Sequence, residues 1–273
     1  MVPVSTVIAC VVTLLVSLVL PVAALIGYAV KNRKQGIVSA WFLGAAGFFV
    51  TQILIRLPLL TLLQSQSWFA SLAQNHLFAY TFGLAFTAGL FELAGRFAVA
   101  MGMRKKLTWK RSLAAGLGHG GIEAMVLIGM TYVNNLIYIV LINSGYFDYL
   151  IAQTAGLGVD ISQLELIRTQ LMQVSSAMFL LAGFERILAM TGHGAMSVLV
   201  CYGVAHKKTG VCVLLCLGIH TLMDLTAGLS LVLPQNIAYP VIYAILIAMA
   251  VVSVGILKGI RRNWKEVSYD SEE

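Results

Sequence analysis

The chain of 273 residues is 59% hydrophobic and only 11% charged, a composition that excludes an intrinsically disordered protein and argues against a soluble globular domain. Its 18 Lys and Arg exceed its 11 Asp and Glu, but the basic residues occur in short clusters between apolar runs, which argues against a nucleic-acid partner. Several of these runs have about 20 residues or more, enough to cross a bilayer core of roughly 30 Å. The sequence therefore predicts an all-α, polytopic transmembrane protein with the lipid bilayer as its surroundings.

Seven apolar segments are long enough to be membrane-spanning helices. The first has no basic residue before it and is too long for the core of a signal peptide, so we predict that it is retained. The chain has no evident internal repeat or low-complexity tract, and we expect one integral membrane domain, 1–273, that ends in a short tail at 258–273. The predicted spans are, in chain order, 2–30, 37–63, 76–101, 112–142, 178–205, 211–233 and 238–257.

The distribution of basic residues indicates the orientation of these spans. Fourteen of the 18 Lys and Arg follow the first, third, fifth and seventh spans, so all four clusters lie on one side of the membrane. The positive-inside rule makes this side cytoplasmic. We therefore predict an external N-terminus and a cytoplasmic C-terminal tail. The long external connection at 143–173 has apolar residues at near-helical spacing in its second half, which predicts a helix there.

Ionisable residues inside the predicted spans are the first candidates for functional groups, because each costs several kcal/mol to bury in a bilayer. Counted at ~1.5 Å per residue from the cytoplasmic ends, six of them on four helices lie roughly 10 to 21 Å deep. They are Glu92, His119, Glu123, His193, His220 and Asp224. Residues four positions apart share a helix face, and three such pairs occur: Glu92 with Arg96, His119 with Glu123, and His220 with Asp224.

Three imidazoles with nearby carboxylates are the ligands that a catalytic zinc ion requires. Glycines flank two of them in Gly118-His119-Gly120-Gly121 and Gly192-His193-Gly194, which lets helices approach closely and leaves room for an ion. We predict that His119, His193 and His220 face the metal. Asp224 is expected to ligate the metal or to orient His220.

Three arginines also lie inside the predicted spans. Glu92 and Arg96 form either an ion pair that organises the helices or a part of the reaction centre. Arg56, near the outer end of its span, is expected to extend its charged group to the membrane surface. Arg186 is expected to make an interfacial ion pair.

Four motifs, in this order among the spans, resemble those of the YhfC family of intramembrane metalloproteases. That family is related to the CAAX prenyl endopeptidases, the bacteriocin-processing CPBP proteins and the PrsW-type proteases. The wider superfamily has the pattern EExxxR, then a Phe preceding a His, then HxxxN or HxxxD, and its His and carboxylate side chains assemble a metal site inside the membrane. The motifs in this chain are FELAGR at 91–96, GHGGIEA at 118–124, FERILAMTGH at 184–193 and HTLMD at 220–224.

The chain departs from the superfamily pattern at Phe91, which stands where EExxxR has its first Glu. Only Glu92 remains of that pair, and it shares a helix face with Arg96. Glu123 shares a face with His119, so we predict that Glu123 is the general base, with Glu92 as the alternative. Arg96 would donate a hydrogen bond to its partner carboxylate.

Three functions are compatible with these residues. The favoured one is a zinc-dependent endopeptidase of a bacterial plasma membrane, which cuts a membrane-associated peptide or protein from a cavity open toward the cytoplasmic half of the bilayer. An ion- or proton-coupled transporter is an alternative, because His and acidic residues also form such pathways, although repeated halves are not evident. A non-catalytic scaffold or maturation partner is the third. Metal content distinguishes the protease from the other two.

Overall fold

The computed structural model describes residues 1–264, and every regular element within them is a helix. Seven helices are long and apolar enough to cross a membrane, which confirms the predicted all-α transmembrane fold. The last of these continues to Asn263, into the predicted tail, and residues 265–273 of that tail lie outside the described range. We number the long helices α1 (Val4–Lys31), α2 (Ile37–Gln64), α3 (Leu77–Gly102), α4 (Trp109–Ser144), α5 (Ser176–Ala205), α6 (Thr209–Val232) and α7 (Gln235–Asn263).

Shorter helices lie in two of the connections. Ser67–Asn75 lies between α2 and α3, and both Tyr146–Gly156 and Ser162–Gln173 lie between α4 and α5. The last of these confirms the helix predicted in the second half of the long connection. Arg168 joins this pair of helices, because its guanidinium lies 2.8 Å from Oδ1 of Asp148 and 5.2 Å from the ring centroid of Phe147.

The contacts within the chain define two compact units. The first comprises Met1–Val22 and Ala124–Ile187. Its core is formed by buried apolar side chains that include Cys10, Tyr132 and Leu171. Within this unit Arg186 makes an ion pair with Glu185, and the position of this pair at the membrane interface stays a prediction.

The second unit comprises Ala23–Glu123 and the chain from Leu188 onward. Its helices approach one another at glycines, as expected for helices that pack in a membrane. A Cβ atom at Gly44 of α2 would overlap the carbonyl of Ala115 of α4, and one at Gly118 of α4 would overlap the carbonyl of Trp41. The backbones of α2 and α4 are therefore in direct contact next to His119.

Three stretches of the long helices are π-helical, with wider turns than an α-helix: Leu15–Val19, Phe49–Arg56 and Ala124–Gly129. The second contains the polar side chains of Gln52 and Arg56, and the third begins directly after Glu123. In α6, the α-helix ends at Leu225 and a 3₁₀ turn, Thr226–Gly228, follows Asp224. Irregular helix therefore adjoins polar residues of α2, α4 and α6.

The orientation predicted from the basic clusters is tested by reporter fusions that fluoresce only in the cytoplasm. A fusion after Ser268 is expected to fluoresce, because it follows the last basic cluster, and a fusion within 143–173 is expected to be dark. Fluorescence from the loop fusion, or none from the tail fusion, would reverse the topology.

Candidate metal centre

The carboxylate of Glu92 is the centre of a buried polar cluster in the second unit. Its Oε2 lies 3.0 Å from Nη2 of Arg96, one turn along α3, and 3.0 Å from Nε2 of His119 on α4. The same oxygen lies 3.7 Å from Nδ1 of His193 on α5 and 3.5 Å from Nδ1 of His220 on α6. All five residues are 4% exposed or less. Four helices thus direct their polar side chains to one oxygen atom.

Two of the imidazoles are also bound on their far side by a second carboxylate. Nε2 of His193 lies 2.6 Å from Oε2 of Glu123, and Nε2 of His220 lies 3.2 Å from Oδ2 of Asp224. Each ring therefore turns one nitrogen to Glu92 and the other to an acid. Metal-binding histidines typically have this arrangement, because a carboxylate that accepts the second N–H fixes the ring and its tautomer.

The ring of His193 has the rings of His119 and His220 as close neighbours. The ring centroids are 5.5 Å apart for His119 and His193 and 5.7 Å apart for His193 and His220. The rings of His193 and His220 are thus neighbours, as predicted, whereas the sharing of one ion by their nitrogen atoms stays a prediction. Ligand atoms of Glu92, His119 and His193 all lie within 4.8 Å of one another. The role of these residues as ligands stays a prediction.

The chemistry of the cluster fits a divalent metal ion. Among the described residues, the buried Nδ1 of His220 has no hydrogen-bond partner although it lies near Glu92, as an unused ligand atom would. Nη2 of Arg96 lies 2.5 Å from Nδ1 of His193. Because an imidazole nitrogen has one lone pair, an ion bound by that atom would replace this hydrogen bond. Arg96 thus belongs to the cluster itself, rather than only to an ion pair beside it.

The structure places Glu123 and Asp224 differently from Glu92. Glu123 was expected to act together with His119, its neighbour on the same face, and the structure places its Oε2 against His193 of α5. The side chain of Asp224 is 34% exposed, and its Oδ2 lies 3.2 Å from Nε2 of His220, on the side of the ring away from Glu92. Glu92 is the acid that lies among all three imidazoles.

Gln52 is a residue of the site that the sequence analysis missed. Its side chain is buried on α2, and its Nε2 donates to Oε1 of Glu92 at 2.8 Å and to the carbonyl of Ala88 at 3.1 Å. Oε1 of Gln52 in turn accepts from Nη1 of Arg56 at 3.2 Å. The sequence feature that could have identified Gln52 is its position four residues before Arg56 within an apolar run.

Arg56 does not extend to the membrane surface as expected. Besides its bond to Gln52, its Nη2 donates to the backbone carbonyl of Leu84 at 2.7 Å and contacts Oγ1 of Thr87 at 3.5 Å. The expectation was wrong because α3 offers acceptors beside the π-helical stretch of α2. Arg56 is therefore held toward the cluster.

A cavity of about 370 Å³ lies beside the cluster and is lined by residues of α2, α3 and α6, including Arg56 and Asp224. Its residues come from the C-terminal halves of α2 and α6 and the N-terminal half of α3. These are the helix ends opposite the basic clusters, whereas the sequence analysis expected a cavity open toward the basic side. Small residues such as Ala85, Ala88 and Gly228 leave the space at this end.

Comparison with known proteins identifies the family of the chain. The model of the YhfC intramembrane metalloprotease family matches residues 15–252. A relative from Bacillus subtilis (strain 168), which bears the name uncharacterized membrane protein YhfC, is 28% identical over 240 residues, or 86% of this chain and 90% of the relative. No solved structure gives a significant match.

Proposed function

Because the chain belongs to the YhfC intramembrane metalloprotease family, we propose that it is a zinc-dependent endopeptidase that hydrolyses peptide bonds of membrane-associated substrates, and that it resides in a bacterial plasma membrane. The observation that carries the proposal is the convergence of three imidazoles from α4, α5 and α6 on the carboxylate of Glu92. Soluble proteases that activate water with zinc combine the same residue types.

The side chains have distinct roles in this proposal. His119, His193 and His220 hold the ion, which when bound supplies a Lewis acid and activates water near neutral pH. Glu92 accepts the proton of the attacking water, because its Oε2 lies within 3.7 Å of a nitrogen of all three rings. Arg96 donates to Glu92 and holds the carboxylate in place.

The remaining acids orient the ligands. Glu123 and Asp224 place a carboxylate oxygen 2.6 Å and 3.2 Å from the second nitrogen of His193 and His220, which fixes the direction in which these rings present their other nitrogen. This assignment reverses the sequence-based preference for Glu123 as the base. It agrees with the family motif, in which the retained acid of FELAGR is Glu92.

The metal content of purified protein tests the proposal. We expect zinc in the wild-type protein and none in the double variant His193→Ala, His220→Ala, because only His119 of the three proposed ligands remains. Elemental analysis of both proteins provides the measurement. His206→Ala is the matched control, since His206 stacks on Tyr202 outside the cluster, and it is expected to keep its zinc.

An equal zinc content in the wild type and the double variant would refute the proposed metal site. A scaffold or a proton-coupled transporter would then be the better interpretation of the polar cluster. Proteolysis itself is tested by mass spectrometry of protein N-termini in membranes that contain either form. New N-termini are expected with the wild type and not with the double variant.

A further inference from the structure

Two paths of polar side chains connect the cavity of the second unit to the carboxylate of Glu92, and the first of them is hydrogen-bonded throughout. In one, Arg56 donates to Gln52 at 3.2 Å, and Gln52 donates to Oε1 of Glu92 at 2.8 Å. In the other, Asp224 lies 3.2 Å from Nε2 of His220, whose Nδ1 lies 3.5 Å from Oε2 of Glu92. Arg56 and Asp224 line the cavity, whereas Gln52 and His220 are buried. One buried residue therefore separates the cavity lining from Glu92 on each path.

The lining of the cavity suits a peptide main chain. Arg56 supplies donors and Asp224 supplies acceptors, and a peptide presents both carbonyl oxygens and N–H groups. A lipid acyl chain could not hydrogen-bond the donors and acceptors that these two charged side chains turn to the cavity, which makes it a less favourable occupant. The rest of the lining includes small or hydroxyl-bearing side chains that leave room for a main chain: Thr81, Ala85, Ala88, Ala227 and Ser230.

The size of the cavity is compatible with part of a peptide. A volume of about 370 Å³ falls in the lower part of the range of ligand pockets, roughly 300–1,000 Å³. It therefore accommodates a short extended segment, rather than a folded element. The α-helix of α6 ends at Leu225, and the 3₁₀ turn Thr226–Gly228 forms part of the wall.

We infer that this cavity is the entrance through which water and an extended segment of the substrate peptide reach Glu92, at the helix ends opposite the basic clusters. Arg56 and Asp224 bind the main chain of that segment. The inference rests on the proposed function, and it adds the side from which the substrate enters. With the orientation predicted from the basic residues, that side is the external one.

Single cysteines test which side the cavity opens to. Ala227→Cys lies in the cavity, Lys106→Cys lies at the basic end, and Leu222→Cys is the matched control on α6, since Leu222 is 52% exposed but outside the cavity. A charged, membrane-impermeant thiol reagent is added to sealed vesicles of either orientation. The native cysteines, Cys10, Cys201, Cys212 and Cys216, are all buried and contribute little background.

We expect Ala227→Cys to be labelled from the side opposite to Lys106→Cys, and Leu222→Cys to stay unlabelled from both sides because lipid excludes a charged reagent. Labelling of Ala227→Cys from the side of Lys106→Cys, or from neither side, would overturn the inference. Ser230→Cys is a second cavity variant if Ala227→Cys fails to fold. This readout does not depend on proteolysis, so it is informative even if the proposed function fails.

The role of the cavity as the substrate entrance is tested by comparing the modified and unmodified Ala227→Cys protein. Full modification is expected to abolish the new N-termini while the zinc content stays the same, because the adduct fills the cavity without touching the cluster. Undiminished cleavage after full modification would show that the substrate enters elsewhere and would leave the protease function intact. Cleavage sites are expected in the half of the substrate span nearest to the cavity opening.

Discussion

Replacement of Glu92 by glutamine is expected to lower the free energy of unfolding by about 3–5 kcal/mol and to abolish cleavage. The physical reason is that Arg96 is 3% exposed and would lose its carboxylate partner while remaining charged. Loss of the negative charge also removes the group on which three imidazoles converge. The measurement is the amount of monodisperse protein that survives a temperature series in detergent, with N-terminal mass spectrometry for activity.

A double variant separates the charge effect from the packing effect at this position. Glu92→Met combined with Arg96→Met removes both charges, and replacement of a whole buried ion pair by apolar residues is often neutral for stability. We therefore expect the double variant to recover much of the lost stability but none of the activity. If Glu92→Gln were as stable as the wild type, the structural role of the Glu92–Arg96 pair would be refuted.

Glu123→Gln is expected to lower the affinity for zinc about 10- to 100-fold, because Glu123 fixes His193 through its far nitrogen. Asp224→Asn is the matched variant at His220, and a loss of similar size is expected. Zinc titration of the purified, metal-stripped proteins provides the measurement. The two variants should therefore lose zinc affinity to a similar extent, whereas Glu92→Gln is expected to lose stability.

The outcome for Glu123 also decides between the two candidate bases. A general base contributes roughly 10²- to 10⁴-fold to the rate of a reaction. Undiminished zinc binding by Glu123→Gln, together with a loss of cleavage of that size, would return the role of base to Glu123. Such a result would support the sequence-based assignment over the contacts seen in the structure.

The spans could be predicted from the sequence because hydropathy and length are properties of single segments. The predicted 37–63 and the observed Ile37–Gln64 differ by one residue, and the largest difference is at the last span, where 238–257 became Gln235–Asn263. That helix extends further because Arg261 and Arg262 continue it beyond the apolar run. Charged residues end the hydrophobic segment, but they favour the last turn of a helix.

The residues of the site could be predicted in part, because depth along a helix follows from counting. Glu92, His119, His193 and His220 were placed at a common depth, and they do lie together. Their pairing could not be predicted, because spacing of four shows which residues share a face but not which neighbouring helix that face meets. Glu123 is the example, since its contact with His193 of α5 does not follow from its spacing to His119.

The π-helical stretch of α2 contains both Gln52 and Arg56. Gln52 was not among the sequence-based candidates and Arg56 was placed by its depth alone, whereas Phe49–Arg56 is wider than an α-helix, so side-chain directions there depart from α-helical spacing. No residue pattern in this stretch predicts such a widening. The two side chains consequently point to α3, where Glu92 and the carbonyl of Leu84 accept their hydrogen bonds.

The glycine contacts between the helices of the second unit affect the conformational entropy of binding. A Cβ at Gly95 of α3 would lie 2.6 Å from the carbonyl of Gly47 of α2, and a Cβ at Gly120 of α4 would lie 2.9 Å from Cβ of His193. Helices held at these contacts order no flexible side chains, because glycine has no rotamers to lose. The backbone positions of the imidazoles are thus fixed when the chain folds. Little ordering then remains for the step in which an ion or a peptide binds, and this preorganisation favours tight binding.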